Sequence, residues 1–168
     1  MSTGSPLYPL LNEINNAAQN GMPLIAVAMS VALPDICASL AAADGRTSGQ
    51  AYKAWCNANL PQDKFSYITS DDLYSMRCGV LHQGRFGDMQ HNVGRVIFGL
   101  PGNMTFQNCV LNDAYFYSVP EFCKNICDAV YAWFEANKTD ANIQANLPRL
   151  MQYRNGFPPY VEGFTVLA

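Results

Sequence analysis

One stretch of the sequence is too apolar to lie on a water-exposed surface. Over Met22–Leu33 the only polar side chain is Ser30. A helix that is hydrophobic on every side must be surrounded by other elements or by lipid. The stretch ends at Pro34 and Asp35, short of the roughly 20 apolar residues that span a bilayer. It therefore predicts a buried central helix over Met22–Ala43 that Pro34 kinks or breaks.

Shorter amphipathic patterns flank this helix and predict a mainly α fold. In each pattern apolar residues recur at helical spacing, which predicts one buried face. The helix before Gly84 begins with acidic residues that suit the helix dipole, and the glycine predicts its end. The predicted helices are Leu7–Ala18 (within an N-terminal helical segment, 1–20), Gln50–Leu60, Asp71–Gln83, Pro120–Asn137 and Asp140–Arg154.

A β-rich region interrupts the helical pattern. Val93–Leu100 and Met104–Leu111 are rich in strand-forming residues, and a Pro-Gly-Asn sequence separates them. This arrangement is typical of a β-hairpin. The aromatic run Tyr115–Tyr117 predicts a further short strand. We therefore expect a β-hairpin inserted over residues 93–117 of a single domain that spans residues 1–168.

The charge composition limits the partners of such a chain. Charged residues make up 14% of the sequence, hydrophobic residues 49%, and the net charge is −3. A chain this apolar can offset its entropy by burial, which excludes intrinsic disorder as its main state. A pI near 5.2 excludes a protein that coats nucleic acid through a generally basic surface. The low charge favours an oligomer, because a monomer would expose apolar surface.

The N-terminal sequence and the cysteines predict the compartment. No basic segment leads into an apolar core, so we expect no secretory signal, no membrane partner and a cytoplasmic location. A chain of this size can bury a core without disulfides, so we expect its six cysteines to be reduced. Cys123 and Cys127 lie one helical turn apart, but no second pair has matching spacing. We therefore expect no metal, and no other cofactor.

The histidines and their neighbouring arginines are the residues best suited to chemistry. Both histidines, His82 and His91, lie between Arg77 and Arg95. Imidazole can give or take a proton at neutral pH, and guanidinium offers a planar pair of donors that grips phosphate. Arg77 and His82 are therefore the candidate catalytic pair. Residues five apart lie about 140° around an ideal helix, so the two share a site only if Arg77 reaches around or a second subunit completes it. A dimeric site meets this requirement, and we expect that a single chain does not.

The catalytic candidates also have structural interpretations. Arg77 either works at a phosphate or forms a buried ion pair with Asp35, and Asp35 could instead orient Arg77 within an active site. His82 either transfers protons or acts as a capping cation at the end of its helix. Cys78, beside Arg77, is an alternative nucleophile whose thiol a neighbouring cation would activate.

The residues around the pair leave further alternatives open. Arg85, His91 and Arg95 either extend an RNA-binding track along the phosphates or belong to a solvated loop. Tyr74 and Gln83 flank the pair and either contact RNA or, for Tyr74 above all, pack against neighbouring side chains.

The segment from Arg77 to His82, which has four residues between its ends, matches the Arg-x(4–6)-His signature of the HEPN superfamily of small helical domains. Residues 77–84, Arg-Cys-Gly-Val-Leu-His-Gln-Gly, are similar to the corresponding segment of a bacterial subgroup of that superfamily. The resemblance covers about residues 22–165. Its other pieces are Leu33–Cys37, Tyr52 with Trp55, Phe98–Pro101, Val119–Cys123 and Trp133.

The resemblance implies an HEPN-like helical bundle of four to five helices, here with the inserted β-hairpin. It also implies a homodimer in which two Arg–His pairs meet in one cleft. Active members of the superfamily cleave RNA without metal, and others have lost activity. It therefore implies a metal-independent endoribonuclease that leaves 2′,3′-cyclic phosphate and 5′-hydroxyl ends, in stress response, phage defence or a toxin–antitoxin-like system, where a protein partner could regulate it. The alternative is an inactive HEPN-like dimer that binds nucleotide, RNA or a protein partner.

Overall fold

The apolar stretch forms the central helix of the fold. In the computed structural model, which describes residues 4–87, 94–102 and 106–168, this helix, α2, spans Pro23–Ala41. It packs against five other helices, and its buried residues belong to one contiguous core. The surrounding helices are α1 (Leu7–Gln19), α3 (Gly49–Asn59), α4 (Ser70–Gln83), α5 (Val119–Asn137) and α6 (Ala141–Asn146).

Helix α2 continues through Pro34, so a break at this residue is wrong. Pro34 is buried and the helix runs on to Ala41. Three residues before the proline, the carbonyl oxygen of Val31 accepts a hydrogen bond from the hydroxyl of Tyr52 at 2.9 Å. By length and composition α2 could also cross a membrane, but half of it is buried inside the protein. That burial is compatible with a core helix of a soluble protein, and the cytoplasmic location stays a prediction.

Helix α4 has the boundaries that its end signals predict, within one residue. Thr69 caps its first turn: the Thr69 side chain accepts from the Asp72 N–H, and the Asp72 carboxylate accepts from the Thr69 N–H. The helix ends at Gly84, which has a φ of +66°. Glycine adopts this left-handed conformation without steric cost. These two caps fix the length of the helix that carries Arg77 and His82.

The β region is built differently from the predicted hairpin. Strand β1 (Arg95–Gly99) pairs in parallel with β3 (Ala114–Ser118), and β3 pairs antiparallel with β2 (Cys109–Leu111). The predicted pairing of the first two runs is therefore wrong, because the aromatic run forms the central strand. Its rings Tyr115 and Tyr117 are buried. The first residues of the two predicted runs, 93 in one and 104–105 in the other, lie outside the described residues.

The predicted final helix over Asp140–Arg154 is also wrong beyond its first turns. Helix α6 ends at Asn146, and a 3₁₀ turn follows over Leu147–Arg149. Pro148 has no N–H to donate to a carbonyl four residues earlier, so it cannot continue the α-helical hydrogen bonds. The chain then forms an antiparallel ribbon of β4 (Tyr153–Phe157) and β5 (Val161–Leu167). The protein is thus mainly helical with a mixed α/β composition.

All six cysteines are free thiols, and four of them are buried. Burial raises the pKa of Cys123 to about 11 and that of Cys127 to about 12. Both therefore remain protonated thiols in the core at neutral pH. In the part of the chain that the structure describes, no group of three or more His, Cys, Asp or Glu side chains could hold a metal ion.

Candidate active site on helix α4

Arg77 and His82 meet on helix α4 although they are five residues apart. Nη1 of Arg77 lies 3.2 Å from Nε2 of His82. The long arginine side chain reaches around the helix, which is the first of the two ways in which the pair could share a site. The expectation that a single chain would not bring them together is therefore wrong. His82 is exposed at the protein surface and Arg77 is partly buried.

Asp35 of α2 holds the other side of the guanidinium. Its Oδ2 accepts from Nε of Arg77 at 2.5 Å, and its Oδ1 accepts from the hydroxyl of Thr47 at 3.2 Å. The side chains of Arg77 and Asp35 are only 21% and 12% exposed. The predicted ion pair between two helices is present, and it leaves Nη1 directed at His82. Asp35 therefore fits both interpretations given to it, the structural partner and the orienting group.

The charge of Arg77 sets the direction of a hydrogen bond at this contact. Burial lowers the pKa of Arg77, but the charge and hydrogen bond of Asp35 more than offset burial, so the net shift is upward. A guanidinium only donates hydrogen bonds. In a hydrogen bond at the 3.2 Å contact, Nη1 of Arg77 is therefore the donor and Nε2 of His82 is the acceptor. The contact thus places a fixed cation beside an imidazole nitrogen.

Cys78 and Tyr74 line the same side of α4. The Sγ atom of Cys78 lies 4.0 Å from Nη1 of Arg77. The ring of Tyr74 packs against the buried ring of Tyr52, with 5.3 Å between the centroids. A hydrogen bond with Cys78, and then burial, raise the pKa of Tyr74. Tyr74 therefore packs as one of its two interpretations predicts, while it remains partly accessible beside the pair.

The other candidate residues make contacts of their own. Gln83 accepts from Nε of Arg85 at 2.7 Å, and Arg95 on β1 lies 3.7 Å from the Asp113 carboxylate. Neither contact involves Arg77 or His82. His91 lies outside the described residues.

Thr47 is a residue of the cluster that sequence reasoning missed. It lies in the turn between α2 and α3, two residues before Gly49, the first residue of α3. Gly49 allows a close approach to α4: a Cβ atom here would lie 2.6 Å from Cζ of Tyr74. The sequence of residues 44–49, Asp-Gly-Arg-Thr-Ser-Gly, is typical of a turn. Only the tertiary contact between α3 and α4 shows that this turn faces Asp35 and Arg77.

A separate apolar cavity of about 650 Å³ lies at the end of α4. It is lined by the first turns of α2, by residues 84–86 and by β1. Arg85 is its one charged lining residue, and it lies among side chains such as Leu24, Phe86 and Phe98. Several of its lining side chains, among them Leu24 and Ile25, are exposed, so the cavity is open to solvent. Arg77 and His82 do not line it.

No family model, no curated protein and no solved structure matches this chain.

Proposed function

We propose that this protein is a metal-independent endoribonuclease in which Arg77 and His82 form the catalytic pair. The observation that supports the proposal is the 3.2 Å contact between Nη1 of Arg77 and Nε2 of His82, with His82 exposed. A phosphodiester that reaches this contact meets a phosphate-binding cation and a proton acceptor together. RNA cleavage by its own 2′-hydroxyl needs both groups.

His82 acts as the general base. Its Nε2 takes the proton of the 2′-hydroxyl while the 2′-oxygen attacks the adjacent phosphorus. The bond between phosphorus and the 5′-oxygen then breaks, and a general acid gives a proton to that leaving oxygen. The products are a 2′,3′-cyclic phosphate and a 5′-hydroxyl. In the homodimer that the HEPN resemblance implies, the second His82 is the acid.

Arg77 binds the phosphate. In the free protein its Nη1 donates to His82. When RNA binds, a non-bridging phosphate oxygen becomes the acceptor, because a charged oxygen forms a stronger hydrogen bond with guanidinium than imidazole does. This exchange frees Nε2 of His82 to act as the base. Asp35 holds Nε throughout, so the guanidinium turns toward the phosphate from one fixed side.

One observation favours a second function, the inactive module that binds nucleotide, RNA or a protein partner. Asp35 and Arg77 join α2 to α4 through a largely buried ion pair, an arrangement that stabilises a fold without any reaction. In that case the guanidinium of Arg77, beside His82, still offers a phosphate a cationic partner. The two functions differ in a single readout, which is strand cleavage.

The test is cleavage of end-labelled RNA in excess EDTA. We expect the wild-type protein to cut and to leave cyclic phosphate ends. Arg77→Ala and His82→Ala should each lower the rate by about 10²-fold or more, since each removes a group that acts in the transition state. Lys124→Ala is the matched control, because it removes an exposed cation on α5. RNA binding without cleavage by the wild type would favour the inactive module and contradict the nuclease.

A further inference from the structure

The apolar cavity at the end of α4 reaches from the surface into the core. Val27, Val96 and Val119 line it and are buried. Leu24 and Ile25 line it too, and they are 78% and 58% exposed. The volume of about 650 Å³ lies within the range of roughly 300–1,000 Å³ that is usual for small-molecule sites. A mostly apolar lining with few polar groups is also typical of such sites.

The walls of this cavity are held in place by packing. The ring centroid of Phe98 lies 5.3 Å from that of Phe86 and 4.9 Å from that of Phe122, a buried residue of α5. The turn after α4 folds back onto its helix, where the Arg85 N–H donates to the Gly79 carbonyl oxygen at 3.2 Å. A Cβ atom at Gly79 would lie 2.5 Å from the carbonyl oxygen of Arg85. The cavity is therefore formed before any ligand enters.

Arg85 adds a positive charge to this apolar lining. Its Nε donates to the side-chain oxygen of Gln83 at 2.7 Å. A guanidinium has five N–H donors, so it can bond Gln83 and the oxygen of a ligand at the same time. Among the lining residues that the structure describes there is no carboxylate. The lining therefore favours an apolar molecule that carries a negative charge.

We propose that this cavity binds a small molecule with an apolar body and one anionic end, of the size of a medium-chain carboxylate. The body occupies the space between the first turns of α2, Phe86 and β1, and the anionic oxygens accept hydrogen bonds from the guanidinium of Arg85. Because Arg85 is exposed, its ion pair with the ligand contributes little free energy. Burial of the apolar body therefore supplies most of the affinity, and the charge orients the ligand.

The proposal does not rest on the nuclease activity. Arg77 and His82 do not line the cavity, although Val80 of the same helix does. The contacts of Arg77 with Asp35 and His82 involve no lining residue. Ligand binding and RNA cleavage can therefore succeed or fail separately.

Calorimetric titration with straight-chain carboxylates tests the apolar part of the site. The full chain is titrated with hexanoate, octanoate and decanoate, each below the concentration at which it forms micelles. We expect one molecule to bind per chain, with an affinity that rises about fourfold for each added methylene, because each methylene leaves water for the apolar lining. No binding of decanoate, or an affinity that is independent of chain length, would overturn the proposal.

Octanol and octyltrimethylammonium test the role of charge. The wild-type protein should bind octanoate about fivefold more tightly than octanol, and the cation more weakly than either. Arg85→Gln should remove the preference for octanoate over octanol and leave the affinity for octanol unchanged. Lys124→Gln is the matched control, because it removes an exposed cation of α5 outside the cavity. No preference for octanoate in the wild type, or the same preference in Arg85→Gln, would overturn the proposal.

A substitution that fills the cavity tests the location. Ala28 lines the cavity and is half-buried, so Ala28→Phe should place a ring in it and abolish binding of decanoate. Ala41→Phe makes the same change at the exposed last residue of α2, outside the cavity, and should bind decanoate like the wild type. Thermal unfolding followed by circular dichroism shows whether each variant folds. A folded Ala28→Phe protein with wild-type affinity would overturn the proposal, and the Arg85→Gln measurement decides it if Ala28→Phe does not fold.

Discussion

Removal of the Asp35 carboxylate tests the contact that holds Arg77 in place. Asp35→Asn keeps the size of the side chain but leaves the guanidinium without its charge partner. Loss of one member of a buried ion pair costs about 3–5 kcal/mol. Because the Arg77 side chain remains 21% exposed, water recovers part of that cost. We expect the free energy of unfolding to fall by about 2 kcal/mol in Asp35→Asn.

The assay is urea unfolding followed by circular dichroism, with a double-mutant cycle. Asp35→Asn combined with Arg77→Met removes both charges, and we expect this variant to lie within about 1 kcal/mol of wild type. Asp113→Asn is the control, because its partner Arg95 is 66% exposed, and an exposed pair contributes at most about 1 kcal/mol. If Asp35→Asn unfolds like wild type, or if the double variant loses as much as the two single variants together, the account of the pair is wrong.

Three further outcomes follow from the packing. Gly79→Ala should lower the melting temperature, although alanine normally stabilises a helix, because its Cβ would lie 2.2 Å from the backbone nitrogen of Gly87; a higher melting temperature would contradict this contact. A thiol reagent should label only Cys78 and Cys109 in the native protein, because the other four are buried, and all six after unfolding; rapid labelling of a third thiol would contradict that burial. Burial raises the pKa of Cys56 from 9.0 to about 12, so the unfolded chain loses a proton that the folded chain keeps. The contribution of this thiol to the free energy of unfolding is complete below pH 9 and is lost as the pH rises toward 12. The free energy of unfolding, measured with reductant present, should therefore fall over this range, and Cys56→Ala should make the fall smaller.

The helices could be predicted from local patterns because their signals are local. The capping residue Thr69 and the terminal Gly84 define α4 within the sequence of that helix itself. The apolar character of α2 on every side likewise requires burial wherever its neighbours lie. In each case the physical cause lies within a few residues of its effect.

The strand pairing could not be predicted in the same way. Tight turns favour pairing of adjacent runs, and that rule indicated a hairpin of the first two runs. The chain instead places the most buried of the three strands, with Tyr115 and Tyr117, between the others. Which strand becomes central depends on how its side chains pack against α5 and the rest of the core. A local sequence pattern holds no information about these contacts. The ribbon of β4 and β5 was missed because helical spacing seemed to continue beyond Pro148.

The sequence could single out the candidate residues but not the contacts between them. Arg77, His82 and Asp35 followed from residue type and spacing, but ideal helix angles indicated that the first two would point apart. The reach of the arginine side chain removes that obstacle. Thr47 was missed because its contact with Asp35 crosses from a turn to a helix and leaves no periodic signal.

The most direct test of the central claim is cleavage in EDTA of a DNA strand that carries ribose at a single position. If the 2′-hydroxyl is the nucleophile and His82 is its base, the wild-type protein cuts only after the ribose and leaves a cyclic phosphate there. His82→Ala leaves the same strand intact. Cleavage at deoxyribose positions, or equal cleavage by His82→Ala, would contradict the assignment of Arg77 and His82 as the catalytic pair.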